Sequence, residues 1–169
     1  YITNKEIFYL DKLPASMAVL GAGPIALEMA QSFSRLGSKV HVIQRSAQIL
    51  SKEDKDVADL AMNALGEEGV SFHLGTAVIR VKDLGSQREV VFSDAQGKEQ
   101  TIRAETLLVA LGRRPNVDGL GLDKIGVEFN RRGIKVDARM RTNHTHIYAP
   151  GDINGSYQFT HAAGYEGGI

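Results

Sequence analysis

Gly21, Gly23 and Ala26 stand in the spacing Gly-x-Gly-x-x-Ala, after the apolar run Ser16–Leu20 and inside the start of a helical pattern. Small residues at that spacing bring bare backbone up to a phosphate. Gly21 makes a tight turn out of a strand, Gly23 lets the backbone approach a pyrophosphate, and Ala26 lets the helix pack closely on the strand. The helix start, with Pro24 in its first turn and Ile25 after it, offers unpaired N–H groups and a partial positive charge. The other use of these three small residues is helix–strand packing alone. A second place for chemistry is Gln44-Arg45, at the end of Lys-Val-His-Val-Ile-Gln. A site that reads the two ribose hydroxyls of NAD puts Asp or Glu there. An amide and a guanidinium stand there instead, and a guanidinium pairs with a phosphate through two parallel hydrogen bonds. NADP is therefore favoured over NAD, with Lys52 as a second candidate cation; the bland use of Arg45 is an exposed loop charge.

The elements that must position these groups follow from periodicity. Ser16–Leu20 reads as a buried strand and Pro24–Leu36 as a helix. In that helix Ile25, Met29, Phe33 and Leu36 form one apolar face, and Gly37 is the stop. Lys39–Gln44 alternates as a second strand. Ser51 and Asp54 resemble a capping box ahead of a helix over roughly Asp54–Glu68, and Val70–Leu74 is a third strand. This β-α-β-α-β order gives a parallel sheet through right-handed crossovers. Thr76–Lys82, Arg88–Ser93 and Glu99–Arg103, joined by short turns, read as an antiparallel meander. Thr106–Leu111 returns as a continuous apolar strand. Gly119–Gly133 reads as loop, Ile134–Val136 and Ile147–Ala149 as short strands.

Composition narrows the function. With 169 residues, 43% of them apolar, the chain can bury a core; the net charge of zero leaves no basic footprint for nucleic acid or an anionic membrane. No apolar run approaches the roughly 18 residues of a membrane span, and Tyr1–Leu13 carries no secretory pattern. The expected compartment is the cytoplasm. There is no Cys, so disulfides, thiolate metal sites and cysteine nucleophiles are excluded within these residues. The five His are scattered; His144-x-His146 reads as loop histidines, and no metal site is expected.

Several stretches together resemble the FAD-dependent pyridine nucleotide–disulfide oxidoreductases, in the mercuric reductase and dihydrolipoamide dehydrogenase branch. They run in family order: Thr3-Asn4 with Ile7-Phe8 and Leu13-Pro14; Gly21-Ala22-Gly23-Pro24-Ile25-Ala26-Leu27-Glu28; Ala110-Leu111-Gly112-Arg113-Arg114-Pro115-Asn116; Ile147-Tyr148-Ala149-Pro150-Gly151-Asp152; and Phe159-Thr160-His161-Ala162-Ala163. The resemblance implies an α/β fold: a Rossmann-type parallel sheet with helices and an antiparallel β-meander, followed by a partial flavin-domain segment. Residues 1–116 are then the NAD(P)-binding domain and 117–169 the flavin-domain segment.

The resemblance also implies roles. Glu28 acts near the nicotinamide, through an ion pair to a lysine of the flavin domain. Gly112 comes close to the nucleotide, its plainer use being turn geometry. Gly151-Asp152 contacts the ribityl chain of FAD, the plainer use of Asp152 being a turn aspartate. Pro24 stands where the family often has a gating Tyr. The family's first FAD motif, its redox Cys pair and its His-Glu pair are not in these 169 residues, and the first residue is not Met. The expectation is an excised central piece of a longer enzyme that passes hydride from nicotinamide to flavin and on to a disulfide or related acceptor. The piece itself holds no catalytic residue. Its partners are a nicotinamide dinucleotide and the remainder of the flavoprotein, which as a full-length protein is a homodimer. The alternative is a free-standing dinucleotide-binding regulatory module without catalysis. In an isolated piece, Ile134, Val136, Ile147 and Tyr148 are expected to lack their usual cover and to pack on the first unit or on a second copy.

Overall fold

The structure, a computed structural model, describes residues 1–169. It contains two compact units, Tyr1–Gly112 and Arg113–Ile169.

In the first unit, β1 (Ser16–Leu20), β2 (Lys39–Ile43), β3 (Ser71–His73) and β7 (Thr106–Val109) form a parallel sheet in the order β3-β2-β1-β7. Two helices provide the crossovers, α1 (Pro24–Arg35) and α2 (Lys55–Glu67). The meander is a second sheet of β4 (Ala77–Asp83), β5 (Arg88–Ser93) and β6 (Glu99–Ala104) in that order. Strand alternation divides the parallel sheet's side chains between two cores. Met17, Val19, Val40, Val42 and Leu108 pack with Ala26, Leu27 and Ala30 of α1. Ala18, Leu20, Ile43 and Leu107 pack with Val90, Phe92 and Ala104 of the meander. The central strand β1 is therefore covered on both faces, which explains its unbroken apolar run.

The structure departs from two local expectations, at the buried face of α1 and at the head of α2. The face of α1 against the sheet is Ala26, Leu27 and Ala30, while Met29 and Phe33 are only half-buried and Leu36 is 65% exposed. Small side chains let the helix axis approach the strands, Met29 and Phe33 pack at the margin of the same core, and Leu36 stays outside it. The N-cap of α2 is Asp54 itself, without a side-chain cap bond, so Ser51 is not part of a capping box. In β4 the register slips between Val78 and Arg80, leaving Ile79 as an extra residue against β5. All seven residues of β4 are exposed at the edge of its sheet.

The second unit has little regular structure: a hairpin of β8 (Phe129–Asn130) and β9 (Gly133–Ile134), a 3-10 turn over Gly151–Asn154, and α3 (Thr160–Glu166). Ile147–Ala149 is not a strand; Tyr148 makes one isolated bridge to Arg141. Nor do the apolar groups lack cover. Ile134 and Ala149 join Leu122 and Val127 in a small core, with Val117, Val136, Ile147 and Ile153 against it, and Tyr148 alone of the four named is largely exposed. Asp137 organises one turn, its carboxylate accepting the N–H groups of Arg139 (2.9 Å) and Arg141 (3.0 Å) and the Arg141 Nε–H (2.8 Å). Those bonds pull its carboxyl down to about 2, the Arg141 side chain contributing most. The hairpin turn and the 3-10 turn meet backbone to backbone. A Cβ on Gly155, at φ +75°, would fall 1.6 Å from the Arg132 carbonyl oxygen, and one on Gly133 would fall 2.5 Å from the Asn154 carbonyl carbon.

Candidate functional site

Leu20 of β1 pairs in register with Ile43 of β2 and with Val109 of β7, so three parallel strands end at one edge. From β1 the chain passes through α1 to β2 on one side, while β7 arrives on the other. Open α/β sheets leave a ligand crevice beyond the carboxyl ends of the strands at such a reversal.

The two glycines of the turn do different work. The Gly21 N–H donates to the Ile43 carbonyl (2.9 Å), and the Ala110 N–H donates to the Leu20 carbonyl (2.9 Å). Gly21 has φ +103°, and a Cβ there would lie 2.4 Å from the Ala110 carbonyl oxygen. The fold itself therefore demands glycine at 21. Gly23 is the N-cap of α1 with ordinary dihedrals, φ −81° and ψ 178°, and a Cβ there would meet nothing within 4 Å. Packing gives no reason for glycine at 23; clear space in front of the helix does. Pro24 has no N–H, and the first N–H bonded within the helix is that of Leu27, to the Gly23 carbonyl (3.1 Å). The N–H groups of Ile25 and Ala26 meet no acceptor in the chain. Two free donors at the positive end of a 12-residue helix form a ready anion site.

Gln44 follows β2 and is half-buried, with its N–H on the His73 carbonyl (2.8 Å). Its own carbonyl accepts both the N–H (3.1 Å) and the hydroxyl (3.0 Å) of Thr76. The Ser46 carbonyl accepts the Gly75 N–H (3.0 Å). Backbone bonds thus fix residues 44–46, while the Arg45 side chain is exposed and makes no ion pair. The following loop is anchored by Ile49, fully buried, and by the Leu50 N–H on the Ala22 carbonyl (2.9 Å), with Leu50 at φ +46°. That anchor ties the Arg45 loop to the glycine turn. Glu28 is exposed on α1, Lys52 on the loop, and Gly112 beyond β7. Near this edge, His41 Nδ1 and His73 Nε2 are 3.2 Å apart, and burial lowers the pKa of both imidazoles; His73 and Lys39 lower that of His41 further.

The structure therefore gathers Gly21, Gly23, Pro24, Ile25, Ala26, Gln44, Arg45 and Gly112 around one sheet edge. Gly151 and Asp152 belong to the second unit, in the 3-10 turn, where Asp152 pairs with Arg113 at 2.5 Å. His144 and His146 are edge-on, 6.1 Å between ring centres, and no cluster of three or more His, Asp or Glu could hold a metal ion. No helix is long and apolar enough to cross a membrane. Leu50, Thr76 and Glu166 carry no signal for these roles in the sequence. Each acts through a backbone atom or a distant partner, so no local spacing marks it.

An edge of this kind is that of an open α/β sheet of the doubly wound class, and the comparisons are more specific. The chain belongs to the pyridine nucleotide-disulphide oxidoreductase family, whose model matches residues 1–167. It is 38% identical over 166 residues to a dihydrolipoyl dehydrogenase of Bacillus subtilis (strain 168), covering 98% of this chain and 36% of that protein. It is 37% identical over 170 residues to a mercuric reductase of Bacillus cereus, covering 100% of this chain and 27% of that protein. Among solved structures, the HOCl-induced flavoprotein disulfide reductase RclA from Escherichia coli superposes with a TM-score of 0.87 at 30% identity, over 98% of this chain and 37% of RclA. The chain thus spans about a third of the length of these relatives.

Proposed function

We propose that the chain is the NAD(P)H-binding portion of an FAD-dependent oxidoreductase, with residues 1–116 serving the nicotinamide nucleotide and 117–169 serving the flavin. In that reaction the reduced nicotinamide supplies a hydride to the flavin, and the electrons pass to a disulfide or related acceptor. The observation that carries the reading is Gly23: no packing requires it, and it stands before the two free N–H groups of Ile25 and Ala26. A pyrophosphate fits that space and those donors. Gly21 fixes the turn, Ala26 keeps α1 close to the sheet, and Gly112 flanks the crevice. Glu28 lies one turn further along α1 for a role near the nicotinamide. In the second unit Gly151 and Asp152 serve the ribityl chain of FAD. The whole flavoprotein, in this reading, is a cytoplasmic homodimer.

The cofactor is NADPH in preference to NADH. Gln44 offers no carboxylate to repel a 2′-phosphate, and Arg45 has its guanidinium free. A partly solvated Arg–phosphate pair contributes about 1–3 kcal/mol, roughly ten- to a hundredfold in affinity. Titration calorimetry of the chain with NADPH and NADH tests this, with Arg45→Ala as the partner variant. The expected result is tighter NADPH binding that weakens with salt and loses its advantage in Arg45→Ala. Equal affinities in the parent chain, or an equal loss of both cofactors in the variant, overturn the role of Arg45. Failure to bind either one overturns the site.

One observation favours a second reading, a dinucleotide-binding module without catalysis: the chain has no Cys. Both readings expect the purified chain to bind the dinucleotide and turn nothing over. Steady NADPH oxidation by the chain alone would sink that expectation. Full-length protein that holds FAD and oxidises NADPH excludes the module.

A further inference from the structure

The Gly151–Asn154 turn is held by a group outside the site described above. Glu166, the last residue of α3, is 9% exposed. Its Oε2 accepts the Gly151 N–H at 2.6 Å and the Asn154 Nδ2–H at 2.7 Å. Both partners are neutral, and no Lys or Arg lies in an ion pair with this carboxylate. Removing a carboxylate from water is costly unless its lone pairs are met by donors. Two short bonds to one oxygen are the charge-assisted kind, stronger than neutral ones. The two donors are the first and last residues of the turn that carries Asp152. Asn154 relays the hold: its Nδ2 also donates to the Ala149 carbonyl (3.2 Å), and its Oδ1 accepts the Ser156 N–H (2.8 Å). From the other side, the Gly155 backbone is seated against the Arg132 carbonyl. With both ends pinned, the direction of the Asp152 side chain is set by the turn, and Arg113 meets it at 2.5 Å.

We infer that Glu166 is a positioning residue for Asp152: a buried carboxylate that clamps both ends of the Gly151–Asn154 turn and so aims Asp152 and its Arg113 partner. That this aim serves a flavin rests on the function proposed above; the clamp itself does not. Glu166 touches no ligand in this scheme and acts only through Gly151 and Asn154.

Two measurements separate the claims. In the chain itself, NMR follows amide exchange at Gly151 and the carboxyl carbon shift of Asp152 in Glu166→Gln and Glu166→Ala. Glu166→Ala is expected to speed Gly151 exchange about tenfold or more, the loss of one good hydrogen bond, and to move the Asp152 signal. Glu166→Gln keeps an acceptor oxygen and is expected to restore most of both. An Asp152 signal unchanged in both variants overturns the positioning role whatever the flavin does. If Glu166→Ala does not fold, Glu166→Gln carries the test: a Gly151 amide proton shifted upfield, as its acceptor loses charge, supports the clamp, and an unmoved one overturns it. In the longer flavoprotein, FAD affinity is measured for Asp152→Asn, Glu166→Gln and the double variant. A double variant no worse than Asp152→Asn supports action through Asp152, and additive losses overturn it. An Asp152→Asn variant with parental FAD affinity refutes the flavin role alone, leaving the clamp to the NMR result.

Discussion

At the head of α1 the N–H groups of Ile25 and Ala26 meet no acceptor within the chain. In the second unit the donors around Asp137 and Glu166 are taken up by carboxylates of the same unit, at 2.6–3.0 Å. The first unit thus leaves the donors of its glycine turn open at the edge of a sheet covered on both faces, whereas the second uses two carboxylates to tie down the turns over Asp137–Arg141 and Gly151–Asn154. A unit whose buried apolar set is Leu122, Val127, Ile134 and Ala149 needs side-chain bonds to fix its turns. Glycine permits close backbone contact in both units, at Gly21 in the first and at Gly133 and Gly155 in the second, whereas a Cβ at Gly23 would meet nothing.

The largest expected effects come from the glycines in backbone contact, one in each unit. Gly155→Ala drives a Cβ into the Arg132 carbonyl at 1.6 Å and is expected to unfold the second unit selectively. Exchange protection of residues 113–169 should collapse while β1 and β7 stay protected. Gly21→Ala does the converse, combining an unfavourable φ with a 2.4 Å contact. It is expected to destabilise the first unit by about 3 kcal/mol, read by denaturant melting. Retained protection of both units in either variant breaks the account of these turns.

A smaller effect is expected at Gly23. Gly23→Ala leaves stability within about 1 kcal/mol, since the new methyl meets nothing. It weakens NADPH binding by roughly tenfold or more, because the methyl occupies the space a phosphate needs. A variant that binds normally shows that the clearance is not for a ligand.

The smallest effect is acid sensitivity. Burial lowers the pKa of His41 and His73 below 6.5 in the folded unit. The unfolded chain then binds more protons, so their contribution to stability is complete above pH 6.5 and is lost as pH falls through the lowered values. Asp137, lowered from 3.8 to about 2, keeps its contribution until pH falls below 3.8 and loses it on the way to about 2. Melting temperature of the first unit should therefore begin to fall at higher pH than that of the second, and His73→Gln should remove part of the early fall. Parallel pH profiles contradict this ordering.

Much of the first unit was legible in the sequence because it is periodic. The run Ser16–Leu20 and the alternation in Lys39–Ile43 are the signatures of a doubly covered and a flanking strand, and the meander bounds lie within a residue or two of those expected. The face of α1 was misread because Ala26 and Ala30 carry little hydrophobic signal, though close helix–sheet packing selects such residues. The second unit was harder to read. Its core takes single residues from irregular turns with no period. The Glu166–Gly151 bond joins positions fifteen residues apart, and a glutamate in a helix usually reads as a solvated charge. At the candidate site the glycine turn was legible and Gln44-Arg45 follows β2 as expected, whereas Leu50 anchors through its N–H on the Ala22 carbonyl and Thr76 through its N–H and hydroxyl on the Gln44 carbonyl, partners that no local spacing marks.

The slipped register in β4 has a consequence for life in a crowded solution. An exposed edge strand bearing Val78, Ile79 and Val81 is a template on which a strand from another molecule can add. The extra residue at Ile79 interrupts that template at its middle, and Arg80, Lys82 and Asp83 place charges along it. An incoming strand could match only a few residues before the spacing of donors and acceptors failed. One surplus residue thus keeps an apolar margin from becoming the seed of an aggregate.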